Sequence, residues 1–257
     1  MSRAQIANDG KGGLTRHVAI QTIHHTALLV VDVQNYTSVP GIGEFSHIDP
    51  ENIPNDLRYH FDRLENTTLP AIKRLQDACR ASGVEVMYTV VEALTRDMRD
   101  LGLDYKISGI GVPKGSDLAE LPPSVARLED EIIIGKTSSN VFMSTNIDYV
   151  LRALEVEQII ICGLLTDQCV ESAVRDACDL GYLVTVPEDA CATMSQERHD
   201  QSLGMYKGYC RIVSSDQVVS EVQQSRSSTW ISPRYRQVAT LPKKSTSSLR
   251  SRWAGSP

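Results

Sequence analysis

The sequence predicts an α/β protein built on a doubly wound parallel sheet. Short, nearly continuous apolar runs, typical of strands covered on both faces, alternate with segments whose apolar residues recur at helical spacing. The length of 257 residues suits one domain of this class with a sizeable core. Ligands of such sheets bind beyond the carboxyl ends of the strands, so residues at those ends are the first candidates for a site.

The first predicted strand covers residues 26–32, TALLVVD, and ends at the carboxylate of Asp32. This position makes Asp32 a candidate site residue, although an Asx turn or a helix cap would also place an aspartate there. Residues 1–25 are polar and weakly patterned, and we interpret them as an N-terminal extension.

The next part of the chain predicts a helical segment, a strand and a loop. Helical spacing of apolar residues extends over 55–82 and ends at Gly83, and the second strand follows over 84–91. Glu92 ends this strand; a salt bridge to a neighbouring arginine is the alternative to a substrate contact. Residues 95–123 contain GIGVPKG, but its glycines neither follow a predicted strand nor precede a helix, so we interpret this stretch as a surface loop.

The third predicted strand, EIIIGK over residues 131–136, ends at Lys136. Residues 137–140 supply polar residues able to cap a helix, and apolar spacing predicts a helix over 145–154. Lys136 is therefore a second charged residue at a strand end.

Residues 158–179, QIIICGLLTDQCVESAVRDACD, predict a strand-to-helix elbow. A buried apolar strand is broken at Gly163, a turn follows, and a helix begins near Cys169. A thiol at a helix N-terminus is expected to have a lowered pKa, because the positive end of the helix dipole favours the thiolate. The alternative is that Cys169 is a small buried core residue.

The remaining pattern predicts a strand over 182–187, a helix over 196–206 and a short sixth strand over 210–213. Residues 26–222 are therefore assigned to the domain. Residues 223–257 are rich in serine, and we expect a disordered tail.

Composition limits the partners and the location. The net charge is −6, but residues 225–257 hold seven basic and no acidic residues, which leaves 19 basic and 32 acidic residues elsewhere. An acidic body argues against nucleic acid as a partner.

Six cysteines without a CxxC pair argue against a disulfide framework and a cysteine zinc site. Because no apolar run approaches the roughly 18 residues that span a bilayer and no secretory h-region opens the chain, we expect a cytoplasmic protein without a membrane partner.

Three strand ends meet at one edge of the predicted sheet, and each carries a residue suited to one part of a mechanism. Asp32 can accept a proton from the Cys169 thiol, Lys136 can pair with the thiolate and orient the acid, and Cys169 can attack a carbonyl carbon. The backbone N–H groups of Leu165 and Cys169 are predicted to face the resulting oxyanion.

Three stretches, LLVVDVQN, KTSSNVF and GLLTDQCVESAVRDACDLGY, resemble the isochorismatase-like cysteine hydrolase superfamily. The resemblance extends over about residues 26–213 and implies a three-layer α/β/α sandwich around a six-stranded parallel sheet. It implies a catalytic triad at Asp32, Lys136 and Cys169, and a cis peptide bond between Leu164 and Leu165.

The resemblance also narrows the activity. Isochorismatases proper lack the nucleophilic cysteine, and nicotinamidases carry an Asp and two His around a metal after the second strand. This chain has no histidine between His60 and His199. It is therefore most similar to metal-free hydrolases of C–N bonds in small amides, carbamoyl or ureido compounds such as biuret, ureidoacrylate or N-carbamoyl amines, with no cofactor and no metal.

Several expectations follow for ligands and assembly. A small-molecule substrate is predicted to contact residues that flank the triad: Asn35, Tyr36, Glu92, Asn140 and Phe142. Family members commonly form dimers or tetramers, so we expect a homo-oligomer. An isochorismatase-type hydrolase, a catalytically silent binding or effector protein on this fold, and a thiol-redox protein remain alternatives; the missing CxxC pair disfavours the last.

Overall fold

A computed structural model describes residues 7–8, 14–15 and 17–225 of the protein. Ala7–Asn8 (β1) pairs antiparallel with Leu14–Thr15 (β2). The predicted N-terminal extension is described in part, and the predicted tail lies outside the described residues from 226 onwards, so the domain boundaries stay predictions. No helix within the described residues combines the length and the apolar character needed to cross a bilayer.

The main sheet confirms the predicted fold class. Within the described residues it contains the six predicted strands and one short addition, all paired in parallel. The strands are Thr26–Val31 (β3), Glu85–Val91 (β4), Ile132–Lys136 (β5), Gln158–Leu164 (β6), Leu183–Pro187 (β7), Cys191–Ala192 (β8) and Arg211–Val213 (β9). Their order is β5-β4-β3-β6-β7-β9, and β8 pairs with β6. The central strands β3 and β6 are buried along their whole length, as their apolar sequences predict.

Helices flank the sheet, with α3 packed against α9 and α7 packed against α5 and α8. The helices are Asn35–Ser38 (α1), Asn55–Arg63 (α2), Leu69–Ser82 (α3), Leu103–Ser108 (α4), Val141–Ser144 (α5), Ile147–Ala153 (α6), Glu171–Asp179 (α7), Gln196–Tyr206 (α8) and Ser215–Ser225 (α9). A π-helical turn, Leu64–Thr68, joins α2 to α3, and Gly83 ends α3 with a φ of 78°. The sequence did not predict α9, which continues into the first residues assigned to the tail.

Gly163 brings the carboxyl ends of β3 and β6 together. It pairs with Val31 in the sheet and has a φ of 120°. A Cβ atom at this position would lie 2.1 Å from the Val31 carbonyl oxygen, so no other residue fits without moving one of the strands. The close approach sets the separation between Asp32, which follows β3, and the elbow that follows β6.

The prediction of a surface loop was wrong for the segment 94–120, called the covering segment below. Its sequence indicated a surface loop, but it contains α4 and packs on the edge formed by β4 and β5. Leu101 and Tyr105 are buried in a small apolar cluster with Val91 and Ala93. The prediction failed because the apolar residues Leu101, Leu103, Tyr105 and Ile107 recur at every second position, which is not a helical period.

Candidate active site

Asp32 follows β3 directly and is buried, with 2% of its surface exposed. Its backbone has a φ of 54°, in the left-handed region that aspartate tolerates better than most residues. One carboxylate oxygen, Oδ1, accepts a hydrogen bond from Thr89 Oγ1 at 2.9 Å. The other oxygen, Oδ2, lies 2.8 Å from Lys136 Nζ. Contacts with β4 and β5 therefore fix the orientation of the acid.

Lys136 ends β5, and its side chain is fully buried. Besides Asp32, its Nζ lies 3.0 Å from the Ser138 carbonyl oxygen, 3.1 Å from Tyr105 Oη and 3.3 Å from Cys169 Sγ. Burial by itself lowers the pKa of Lys136, but Asp32, Cys169 and Tyr105 together raise it above its usual value. Lys136 is thus a protonated bridge between the acid and the sulfur.

The elbow after β6 places Cys169 beside Lys136. The peptide bond between Leu164 and Leu165 is cis, at the position predicted from the resemblance. The π-helical turn Thr166–Val170 then carries Cys169 and leads into α7. Cys169 keeps 8% of its surface exposed, so the sulfur is nearly enclosed.

The prediction that the pKa of Cys169 is lowered was wrong. Burial, followed by the charge of Asp32, raises the pKa of the thiol to about 11, although Lys136 and the Ser139 hydroxyl act in the opposite direction. The argument from the helix terminus did not include the loss of water around the sulfur or the carboxylate beside it. The resting nucleophile is therefore a neutral thiol next to a proton acceptor.

Two hydroxyl groups near the sulfur were missed by the sequence analysis. Ser139 Oγ lies 3.4 Å from Cys169 Sγ, and Tyr105 Oη lies 3.9 Å from it. Ser139 belongs to the loop that was predicted to cap a helix, and no pattern distinguished it from its neighbours. For Tyr105 a local signal exists, because glycines on both sides of LDYKIS indicate a short helix, which is α4.

Three of the five predicted substrate-contact residues bind backbone groups of the covering segment: Asn35, Tyr36 and Glu92. These hydrogen bonds join the Asn35 amide to the Asp117 carbonyl at 3.0 Å, the Tyr36 hydroxyl to the Gly111 N–H at 3.3 Å and the Glu92 carboxylate to the Gly115 N–H at 2.7 Å. The partner of Glu92 is thus a backbone amide, where the sequence suggested an arginine as the alternative. Contact of these residues with a substrate stays a prediction.

The other two predicted contact residues lie on the loop and helix after β5. Asn140 caps α5, a short helix that was not predicted, by accepting a hydrogen bond from the Phe142 N–H at 2.9 Å, and it donates one to Asp176 at 2.7 Å. The Phe142 ring lies 6.3 Å from the ring of Tyr182. These contacts support the local structure, and a role in substrate binding stays a prediction for both residues.

A series of hydrogen bonds from Arg63 through His199 to Thr166 supports the elbow. Arg63 donates to His199 Nε2 at 2.9 Å, so the proton of the neutral imidazole resides on Nδ1, which lies 2.9 Å from Thr166 Oγ1. Burial and the charge of Arg63 lower the pKa of His199 to about 4, which keeps the ring neutral near pH 7. These hydrogen bonds hold Thr166, which follows Leu165. Leu165 is one of the two predicted oxyanion donors, and that role stays a prediction.

The site therefore combines an acid, a cation and a thiol within hydrogen-bonding distance at one edge of the sheet. The acid can accept a proton, the cation can stabilise an anion, and the sulfur can form a covalent bond with a carbonyl carbon. The part of the chain that the structure describes contains no group of three His, Cys, Asp or Glu side chains arranged to hold a metal ion.

Comparison with known proteins shows the class to which this fold and site belong. The family model of the isochorismatase domain matches residues 26–217. The chain belongs to the isochorismatase family, a family of hydrolases, as the sequence resemblance predicted.

Two relatives illustrate the similarity within this class. The chain is 30% identical to an N-carbamoylsarcosine amidase of Arthrobacter sp over 128 residues, which cover 48% of this chain and 48% of that protein. It is 29% identical to the ureidoacrylate amidohydrolase RutB of Agrobacterium fabrum over 182 residues, which cover 64% of this chain and 75% of that protein. The match to the amidase thus spans about half of that protein's length.

Solved structures support the fold. A cysteine hydrolase from Pseudomonas syringae pv. phaseolicola 1448A superposes with a TM-score of 0.69 at 22% identity, covering 88% of this chain and 100% of that one. At this level of identity the likeness is evidence for the fold.

Proposed function

We propose that the protein is a cysteine hydrolase that cleaves a C–N bond in a small amide, carbamoyl or ureido compound. The observation that carries this proposal is the buried Lys136 ammonium, which lies 2.8 Å from the Asp32 carboxylate and 3.3 Å from Cys169 Sγ. A buried cation that contacts both an acid and a thiol suits the formation of a thiolate during the reaction.

In the first step, the proton of the Cys169 thiol moves to Asp32 as the sulfur adds to the substrate carbonyl carbon. The raised pKa of the thiol makes this transfer necessary, because few molecules carry a thiolate near pH 7. Lys136 stays protonated and compensates the negative charge as it moves from the carboxylate to the sulfur. The carbonyl π electrons move to oxygen, where the N–H groups of Leu165 and Cys169 are proposed as donors.

In the second step, the tetrahedral intermediate breaks its C–N bond and expels the amine, which takes the proton held by Asp32. The product that remains is an acyl or carbamoyl thioester of Cys169. Water then attacks this thioester, Asp32 accepts a proton from the water, and that proton returns to the departing sulfur. Each cycle consumes one water molecule and restores the thiol and the carboxylate.

The substrate class is supported by the named activities of two relatives. One is named as an N-carbamoylsarcosine amidase and the other as a ureidoacrylate amidohydrolase, so both names specify a bond between a carbonyl carbon and nitrogen. We therefore propose a small carbamoyl, ureido or amide substrate for this chain.

An ammonia-release assay on the purified full chain tests the proposal. The substrates are biuret, ureidoacrylate analogues, N-carbamoyl amino acids, nicotinamide and simple aliphatic amides. We expect release from at least one of them, and a loss of about 10³-fold or more in the Cys169→Ala variant, which removes the nucleophile.

The matched control is Cys79→Ala, because Cys79 is a fully buried thiol on α3 and has no role in the proposed mechanism. This variant is expected to keep the activity. Wild-type turnover in Cys169→Ala would contradict the mechanism. Absence of turnover across the panel would instead favour the silent binding protein on the same fold.

Homo-oligomerisation is also proposed, and light scattering coupled to gel filtration measures it directly.

A further inference from the structure

We propose that Tyr105 is a fourth catalytic residue, whose hydroxyl group donates a hydrogen bond to the sulfur of Cys169. The inference deepens the proposed function, on which it rests, by assigning a new residue to the same site. Tyr105 lies on α4 of the covering segment, with 5% of its surface exposed and its Oη 3.9 Å from Cys169 Sγ. Oη also lies 3.1 Å from Lys136 Nζ.

The two contacts of the tyrosine oxygen determine the direction of its hydrogen bonds. A protonated lysine donates and has no acceptor, so the Tyr105 oxygen must accept from Lys136. The single phenolic proton is then free for another acceptor. Among the described residues, the other hydrogen-bonding neighbour of this hydroxyl is the Cys169 sulfur. The lysine thus orients the tyrosine as a donor to sulfur.

Lys136 has more acceptors within reach than it has protons to donate. Its Nζ carries three N–H bonds, but Asp32 Oδ2, the Ser138 carbonyl and Tyr105 Oη lie at 2.8, 3.0 and 3.1 Å. The fourth neighbour, Cys169 Sγ, lies at 3.3 Å, which is also within hydrogen-bonding distance for sulfur. Lys136 cannot donate to all four neighbours at once, so the hydroxyl groups of Ser139 and Tyr105 are available as further donors to the sulfur.

The proposed role requires no net transfer of the tyrosine proton. When the Cys169 proton moves to Asp32, the sulfur becomes negative, and the Tyr105 O–H stabilises that charge. Burial raises the pKa of Tyr105, so the phenol keeps its own proton throughout the reaction. After the sulfur bonds to the substrate carbon, its charge is lost and the hydrogen bond weakens. The stabilisation is thus greatest for the reactive thiolate.

The test compares wild type with Tyr105→Phe by alkylation of Cys169 with iodoacetamide across a range of pH. Peptide mass spectrometry identifies the modified cysteine, so no substrate is required. Because the variant removes a donor to an anionic sulfur and keeps the ring, we expect the midpoint of the pH profile to rise by about one unit. Below the midpoint, alkylation is expected to slow about tenfold, with the rate at high pH unchanged.

The matched control is Tyr59→Phe, which removes an exposed hydroxyl that donates to Gln196 at 3.1 Å. Its profile should coincide with that of wild type. An unchanged midpoint in Tyr105→Phe would overturn the proposal. A faster rate at high pH with an unchanged midpoint would also overturn it, because Tyr105 would then merely limit access to the sulfur.

A second substitution keeps the test decisive if Tyr105→Phe does not fold. Incorporation of 3-fluorotyrosine at position 105 keeps the side chain shape and makes the hydroxyl a stronger donor, so the midpoint should fall. A midpoint that stays or rises would overturn the proposal. The ammonia assay is independent of this test. Absence of turnover with a shifted midpoint would reject the hydrolase function and keep the tyrosine donor. Turnover with an unchanged midpoint would support the hydrolase function and reject the tyrosine donor.

Discussion

The two ends of strand β5 carry the same kinds of polar group in two different arrangements. At its carboxyl end, Lys136 contacts the Asp32 carboxylate, the Tyr105 hydroxyl and the Cys169 sulfur. These four residues are called the site cluster. At its amino end, the carboxylate of Glu131 meets Arg80 and the hydroxyl of Tyr88, called the amino-end cluster. Each cluster thus contains a cation, a carboxylate and a phenol.

The amino-end cluster pairs its groups with one another. Arg80 donates to both oxygens of Glu131, at 2.8 and 2.9 Å, and Tyr88 donates to Glu131 at 2.9 Å. The Leu128 N–H donates to the same carboxylate at 2.7 Å, and the Gln76 amide donates to the Tyr88 oxygen at 2.9 Å. These fixed bonds leave no group ready to react, so the cluster supports the structure.

The site cluster differs because its cation is shared with a group that can change its charge. The thiol can lose its proton to Asp32, and Lys136 contacts both residues, so the charge can move without a change in their positions. A buried ion pair thus becomes reactive when a third, titratable partner is within reach of both ions.

The strongest test of this difference is Lys136→Met. The substitution removes the cation and leaves Asp32 buried without it, so we expect the unfolding free energy to fall by about 3–5 kcal/mol. Activity should fall by about 10³-fold or more, because neither proton transfer nor the thiolate is then stabilised. Urea denaturation and kcat/KM measure the two effects. Retained activity in a folded variant would remove Lys136 from the mechanism.

A second test compares the cysteines near the two clusters by the pH dependence of alkylation. The pKa of Cys169 is raised to about 11, so its thiolate appears as the pH rises towards that value, and alkylation should speed up about tenfold per pH unit below it. Cys79 precedes Arg80, is fully buried and has a pKa raised to about 12, mainly by burial.

Peptide mass spectrometry of the folded protein should therefore find modification of Cys169 and leave Cys79 unmodified. Rapid alkylation of Cys169 near pH 7 would show that the thiolate is already formed in the resting site. Such a result would restore the lowered pKa predicted from the helix terminus.

The counterpart of Lys136→Met at the amino end is Arg80→Met. Its pair with Glu131 keeps side-chain exposures of 19% and 12%, so water screens it in part, and we expect a loss of about 2 kcal/mol. Burial raises the pKa of Glu131, but hydrogen bonds from Arg80, the Leu128 N–H and Tyr88 lower it overall. This carboxylate therefore stabilises the fold above about pH 4 and less so as the pH falls further.

The stability difference between wild type and Arg80→Met should accordingly shrink below about pH 4, as measured by thermal unfolding across that range. Activity per folded molecule should stay unchanged. A loss of kcat similar to that in Lys136→Met would mean that the two clusters are coupled, and the comparison would fail.

The smallest expected effect is that of Tyr88→Phe. This variant removes one hydroxyl from the amino-end cluster, and we expect a stability loss of about 1 kcal/mol. The pH profile of Cys169 alkylation should match that of wild type, in contrast to the shift expected for Tyr105→Phe. A shifted profile in Tyr88→Phe would show that removal of a buried hydroxyl acts through general loosening of the protein.

Much of the fold could be predicted from local pattern. Apolar runs of five to seven residues correctly located β3, β4, β5, β6 and β7. The helix α8 was predicted with its observed ends, and in the structure the Ser195 side chain caps it. The short strand β8 and the helix α4 were missed, since two and six residues are too few to show a period.

The sequence by itself determined where strands β3 and β5 end, because the apolar run of each strand stops at a charged residue. Asp32 and Lys136 were located in this way, Cys169 was located from the elbow that follows β6, and the structure places the three in contact. Their surroundings were decided by the tertiary structure. Burial and Asp32 reverse the expected direction of the Cys169 pKa, and the covering segment brings Tyr105 to the sulfur from 64 residues away. Solvent exclusion and contacts between distant segments exist only in the folded chain, so no local pattern can encode them.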